Sequence, residues 1–161
     1  MPITGHFHGG ITVRDMETSL RYYVDGLGLE VHLDRILDGA YLKVVLDLRF
    51  DDIRAVYLRI PNETGFVELL EYRGIERMSA AARPCDYGSG HLCFYVDDID
   101  AAHARLTAMG YRARSSAPVS ITTGPNEGAR SMYTSDPDGY WIELFEKKAS
   151  PSSVAPDTAS E

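Results

Sequence analysis

No apolar run in this sequence approaches the roughly 20 residues needed to span a bilayer. The first residues, Met-Pro-Ile-Thr-Gly-His, have neither a basic start nor an apolar stretch behind them. No secretory signal is therefore expected, and the cytoplasm is the expected compartment. Basic residues are few and scattered: 16 Lys and Arg stand against 24 Asp and Glu, for a net charge of −8. A protein that binds by neutralising phosphates needs a basic face, so nucleic acid is not an expected partner. An anionic membrane surface is disfavoured for the same reason. Cysteine is nearly absent. Cys85 and Cys93 stand eight apart, which is no zinc-knuckle spacing, and are expected as reduced thiols with at least one buried.

What is present suits a globular chain. With 161 residues, 44% hydrophobic and 25% charged, it has enough apolar surface for a core and room for one domain or two half-size modules.

The second arrangement is written in the sequence. Residues 8–24 can be laid over residues 91–107, an offset of 83. In each copy a histidine (His8, His91) opens a short alternating run that closes at Val13 or Val96. Asp15 or Asp98 follows, ready to cap a helix by accepting the free N–H groups of its first turn. Each helix should end near glycine: Gly26 and Gly28 in one copy, Gly110 in the other. Strands are then expected over Glu30–Leu37, Arg54–Ile60 and Phe66–Tyr72, and over Tyr111–Arg114, Ala129–Thr134 and Tyr140–Lys147. Residues 39–48 suit a short amphipathic helix. The expected organisation is a βαβββ module over 1–73, a linker over 74–89, a second βαβββ module over 90–148, and a flexible tail over 149–161. The tail is too poor in large apolar residues to pack.

Four residues recur at matched places. His8 and His91 lie on the first strand of each module. Glu68 lies in the last strand of the first module, among Val67, Leu69 and Leu70, and Glu143 in the last strand of the second, among Ile142, Leu144 and Phe145. A lone histidine on a strand is usually structural. Four matched positions are harder to dismiss, and a carboxylate set among apolar neighbours needs a cation or a strong partner. If a pseudo-twofold axis relates the modules, the four converge. Two imidazoles and two carboxylates neutralise one dication and suit Ni, Co, Zn, Mn or Fe rather than Ca. His6, His32 and His103 lack matched placement and are expected to be surface or packing residues.

These segments, with Tyr22-Tyr23-x-x-Gly26-Leu-Gly28 and Asp136-Pro-Asp-Gly-Tyr-Trp-Ile-Glu143, resemble the vicinal oxygen chelate superfamily, which holds glyoxalases, bleomycin resistance proteins and extradiol dioxygenases. The resemblance spans roughly residues 5–147. It implies an α+β fold in which paired βαβββ modules form an open eight-stranded cup with helices outside and the metal at its floor. It also implies a homodimer and a small-molecule substrate. A His/Glu/His/Glu set is most similar to that of glyoxalase I, and methylmalonyl-CoA epimerases tend to carry Gln at the place of Glu68. The implied chemistry is that of a lyase or isomerase, with proton transfer through a metal-bound enediolate. Glu143 is the base and Glu68 the second candidate.

Two alternatives stay open. An Fe(II) extradiol dioxygenase would use His8, His91 and Glu143 as a facial triad. Met132-Tyr133-x-x-Asp136-Pro137-x-Gly139 matches the tail of that group's signature, although Asn126 stands where the signature wants a histidine. The other alternative is a non-catalytic binding or antibiotic resistance protein. Arg130, Tyr133 and Trp141 are expected to line the substrate pocket, and the Gly124–Gly128 loop is either a lid or a plain turn.

The tail gives a first prediction. Deleting residues 150–161 is expected to leave the melting temperature and metal content unchanged. A drop of several degrees in differential scanning calorimetry would show that the tail packs on the body or on a partner.

Overall fold

The structure is a computed structural model and describes residues 2–148; the expected flexible tail lies outside the described residues. Two βαβββ modules follow one another. In the first, β1 (His8–Thr12) leads into α1 (Met16–Leu20), then β2 (Glu30–Leu37), β3 (Ile53–Arg59) and β4 (Phe66–Tyr72). α2 (Ala40–Leu46) is inserted between β2 and β3, as the amphipathic pattern predicts. In the second module, β5 (His91–Tyr95) leads into α3 (Ile99–Ala108), then β6 (Val119–Ser120), β7 (Arg130–Ser135) and β8 (Trp141–Glu146).

The caps are the expected ones. The Asp15 carboxylate accepts from Thr18 N at 2.8 Å and Asp98 from Ala101 N at 2.9 Å. α1 widens after Leu20 into a π-helical turn, Arg21–Gly26, in which Leu27 N donates to Tyr22 O at 2.9 Å. The widening ends at Gly26, where a Cβ would stand 3.1 Å from a Leu106 methyl. Any side chain here would push the Leu106 methyl back by a few tenths of an ångström.

Each module makes its own four-stranded sheet, in the orders β1-β4-β3-β2 and β5-β8-β7-β6. The first and last strands pair in parallel, Gly10 beside Glu68 and Cys93 beside Glu143. The remaining pairs are antiparallel. Alternation gives each sheet two unlike faces. Val56, Leu58, Val67, Leu69, Ile142 and Leu144 are fully buried and join Ile11, Val13, Met16, Tyr22 and Tyr23 in one core drawn from both modules. The opposite faces carry His8, Glu68, His91 and Glu143, of which Glu68 is buried and His91 exposed.

The modules are tied at several points. A Cβ on Gly9 would meet Leu92 at 3.3 Å, so the first strands of the two modules pack through their core faces. The Tyr23 hydroxyl donates to the buried Asp136 Oδ2 at 3.0 Å, and Arg14 N donates to Asp138 Oδ2 at 2.7 Å. Burial pushes the Asp136 carboxyl above its ordinary range, against the pull of the Tyr140 and Asp138 amides and the Tyr23 hydroxyl.

Two local expectations are corrected. Tyr111–Arg114 is no strand: it contributes a single bridge, Ala113 to Thr134, and the paired segment falls later at β6. The intervening Ser115-Ser116-Ala117-Pro118 explains the break, since proline cannot donate to a ladder. Neither cysteine is buried; both are exposed. Cys93 shares the parity of His91 on β5 and so faces the side opposite the core. The Gly124–Gly128 loop is a turn closed on itself, with Glu127 N on Gly124 O and Gly128 N on Ile121 O.

Tyr23→Phe would leave Asp136 Oδ2 without its side-chain donor in a buried place. We expect a loss of about 1–3 kcal/mol in chemical denaturation; an unchanged midpoint would show that the hydroxyl contributes nothing across the modules.

Candidate metal and substrate site

The face of each sheet opposite the core presents a histidine beside a glutamate. His8 Nε2 lies 3.1 Å from Glu68 Oε2, and His91 Nε2 lies 3.3 Å from Glu143 Oε2. The geometry follows from register. Each histidine stands two residues before the residue paired with the glutamate, so both side chains rise on one face of neighbouring parallel strands.

A tyrosine from the next strand completes each pair. Tyr57 is opposite Glu68 on β3 and Tyr133 opposite Glu143 on β7. The Tyr133 hydroxyl is 3.1 Å from both His91 Nε2 and Glu143 Oε2. Burial, followed by the hydrogen bond and charge of Glu68, pushes the Tyr57 hydroxyl up to about 12; burial and Glu143 do the same to Tyr133. The second pair has further neighbours. Ser131 Oγ donates to Glu143 Oε1 at 2.7 Å. The Cys93 thiol lies against the same carboxylate and is pushed up to about 11, first by the partial loss of water around it and then by Glu143. Glu68, only 6% exposed, faces Gly10, which offers no side chain.

The four expected ligands therefore come together as two pairs and not as one cluster. Among the described residues, no group of three or more His, Cys, Asp or Glu lies close enough to hold a metal ion. Each pair nevertheless fits half of a coordination set. Two donors bound side by side to one ion at about 2.1 Å stand roughly 3 Å apart, the separation found in both pairs.

The expected pocket residues divide. Tyr133 belongs to the second pair. Trp141 is on the same face, beside His91 in register, with its Nε1 donating to Ala82 O at 2.6 Å. Arg130 does not reach the site. It lies on the core side of β7, in the parity of Met132 and Thr134, and forks onto Asp100 of α3 at 2.6 and 2.8 Å. Arg130 and Tyr133 are three positions apart, an odd offset that a regular strand puts on opposite faces. Tyr57, Ser131, Cys93 and Arg114 were not singled out by sequence. Parity could have found Ser131 and Cys93, which alternate in step with Tyr133 and His91 on their own strands, and the duplication could have found Tyr57 as the counterpart of Tyr133.

Comparison with known proteins agrees with this fold. The model of the Glyoxalase/Bleomycin resistance protein/Dioxygenase superfamily matches residues 5–144. A 2-epi-5-epi-valiolone epimerase from Actinomyces sp is 31% identical over 142 residues, covering 86% of this chain and 76% of the relative. A lactoylglutathione lyase from Pseudomonas putida is 29% identical over 161 residues, covering 90% and 88%. The crystal structure of a glyoxalase family protein from Bacillus cereus superposes with a TM-score of 0.78 at 18% identity, over 92% of this chain and 97% of that one.

His91→Ala is expected to lose most bound metal, while His103→Ala keeps it. Equal metal content in the two purified variants, by elemental analysis, would remove His91 from the ligand set.

Proposed function

The chain belongs to the glyoxalase/bleomycin resistance protein/dioxygenase superfamily, and within it we propose a divalent-metal-dependent lyase or isomerase acting on a small carbonyl or hydroxy compound. The observation that carries this reading is the matched pair of His–Glu couples, each built by the same parallel register and each backed by a tyrosine. His8, Glu68, His91 and Glu143 are the ligands, and the ion, when bound, supplies a Lewis acid that polarises substrate oxygen. Glu143 is the proton carrier. Ser131 holds one of its oxygens and Tyr133 the other, so the carboxylate keeps its aim while it takes a proton from carbon. Glu68 is the second candidate for that role. Relatives named as an epimerase and a lyase are compatible with chemistry that begins by moving a proton at carbon.

Because the couples stand apart within one chain, we infer that a second copy brings them together: His8 and Glu68 of one subunit facing the partner's His91 and Glu143. The first module has a face suited to cover. Tyr41 is 62% exposed, Val44 81% and Val45 74% on α2, with Val31, Leu33 and Ile36 exposed on β2. An apolar surface of this kind is ordinarily covered by another protein surface.

Mixing separately inactivated chains tests both statements. In a heterodimer of His8→Ala and His91→Ala, one of the two sites keeps all its ligands. Randomly reassorted subunits should therefore recover about a quarter of wild-type metal and turnover. No recovery in subunits shown to exchange would place each complete site within one chain. Glu143→Gln should keep metal and lose turnover by about 10²–10⁴-fold; near-wild-type turnover with metal bound would move the base elsewhere, with Glu68 examined first.

A further inference from the structure

One arginine beside the second couple has no acidic partner among the described residues. Arg14, Arg54, Arg73, Arg83 and Arg130 each close an ion pair with Asp or Glu. Arg114 instead lays its guanidinium over the Trp141 ring, 5.2 Å from the centroid. Its backbone is fixed by a 2.7 Å bond from Arg114 N to Tyr133 O, and the indole beneath it by the bond to Ala82 O. The cation is thus held next to the residue that stands beside His91 in the sheet.

A cavity of about 470 Å³ opens at the same place. Its lining includes Arg114, Val119, Ile121 and Met132, together with Ser131 and Tyr133, the two residues that hold Glu143. The cavity therefore joins a mostly apolar wall to a cation, Arg114, and to the two hydroxyl side chains that hold the proposed base. In a chain of net charge −8, the general field repels anions, so capture of one needs a local cation held in place. A guanidinium held against an aromatic ring and bonded to no carboxylate has N–H groups free for an oxyanion.

We propose that this cavity binds a substrate with an apolar body and one oxyanion, a carboxylate or phosphate, and that Arg114 is the residue that selects the anion. The proposal rests on the reading of the neighbouring couple as the reaction site, and it names the substrate class for that site.

Trp141 is the only tryptophan in the chain and lies under the Arg114 guanidinium, so its fluorescence reports on a change at that cation. The full-length protein as purified is titrated with 3-phenylpropionate, 2-phenylethyl phosphate and the neutral 3-phenylpropanamide, with metal content measured on the same samples. At least one anion should bind about tenfold or more tightly than the amide, and the one that does identifies the group recognised. Arg114→Gln should erase that preference, Arg114→Lys should keep part of it, and Arg105→Gln on α3 should leave it whole. Equal binding of anions and amide by wild-type protein overturns the proposal. So does a preference that survives Arg114→Gln, because the anion is then held by another group, a bound metal included. Protein that carries no metal yet shows the Arg114-dependent preference leaves this proposal standing and sinks the metal-dependent reaction. Protein that carries metal without the preference does the reverse.

Discussion

Parallel pairing between the first and last strands of each module is the interaction on which the site depends. It sets Gly10 beside Glu68 and Cys93 beside Glu143, and alternation then puts each histidine on its glutamate's face. A slip of one residue would carry Glu68 into the place of Val67 or Leu69, both fully buried. An unpaired carboxylate there would cost several kcal/mol, and every core side chain of the strand would turn outward. The pattern that holds the core together is therefore the pattern that aims the two His–Glu couples.

Much of this was legible in the sequence. The duplication, the capping aspartates, the α2 insertion, β2 and β4 all follow from periodicity and from turn and cap residues, which act locally. The four matched His and Glu positions were legible for a related reason: a duplicated module carries the same register twice. The distance between the couples was not. It depends on how β1 and β5 pack through Gly9 and Leu92, and no local pattern encodes that contact. The placement of Arg130 failed for a simpler reason. It was expected to line the pocket beside Tyr133, but strand parity assigns it to the face of α3, where Asp100 takes it up. Arg114 was invisible because its segment reads as a strand and is held by a single bridge, leaving its side chain to be placed by Trp141.

The linker contributes more than length. Arg77 donates to the backbone oxygens of Val13 and Arg14 at the end of β1, and Trp141 reaches back to Ala82. Residues 74–89 are thus pinned to the first strand of one module and the last strand of the other. The apolar core sets the modules' packing from within, and these bonds fix it from outside.

The two couples share a backbone plan but differ in their surroundings. Glu143 has a thiol on one side and a serine hydroxyl on the other, while Glu68 has Gly10 and, at the position equivalent to Ser131, the buried Ala55. On the proposed reading, a flat carbon centre between them meets a heavily bonded carboxylate on one face and a barer, more deeply buried one on the other. Such a pocket is chiral in its chemistry even where its framework is nearly twofold. Product handedness would then be decided by which carboxylate more readily gives up its proton, a preference carried by the few side chains at which the duplicated halves have diverged.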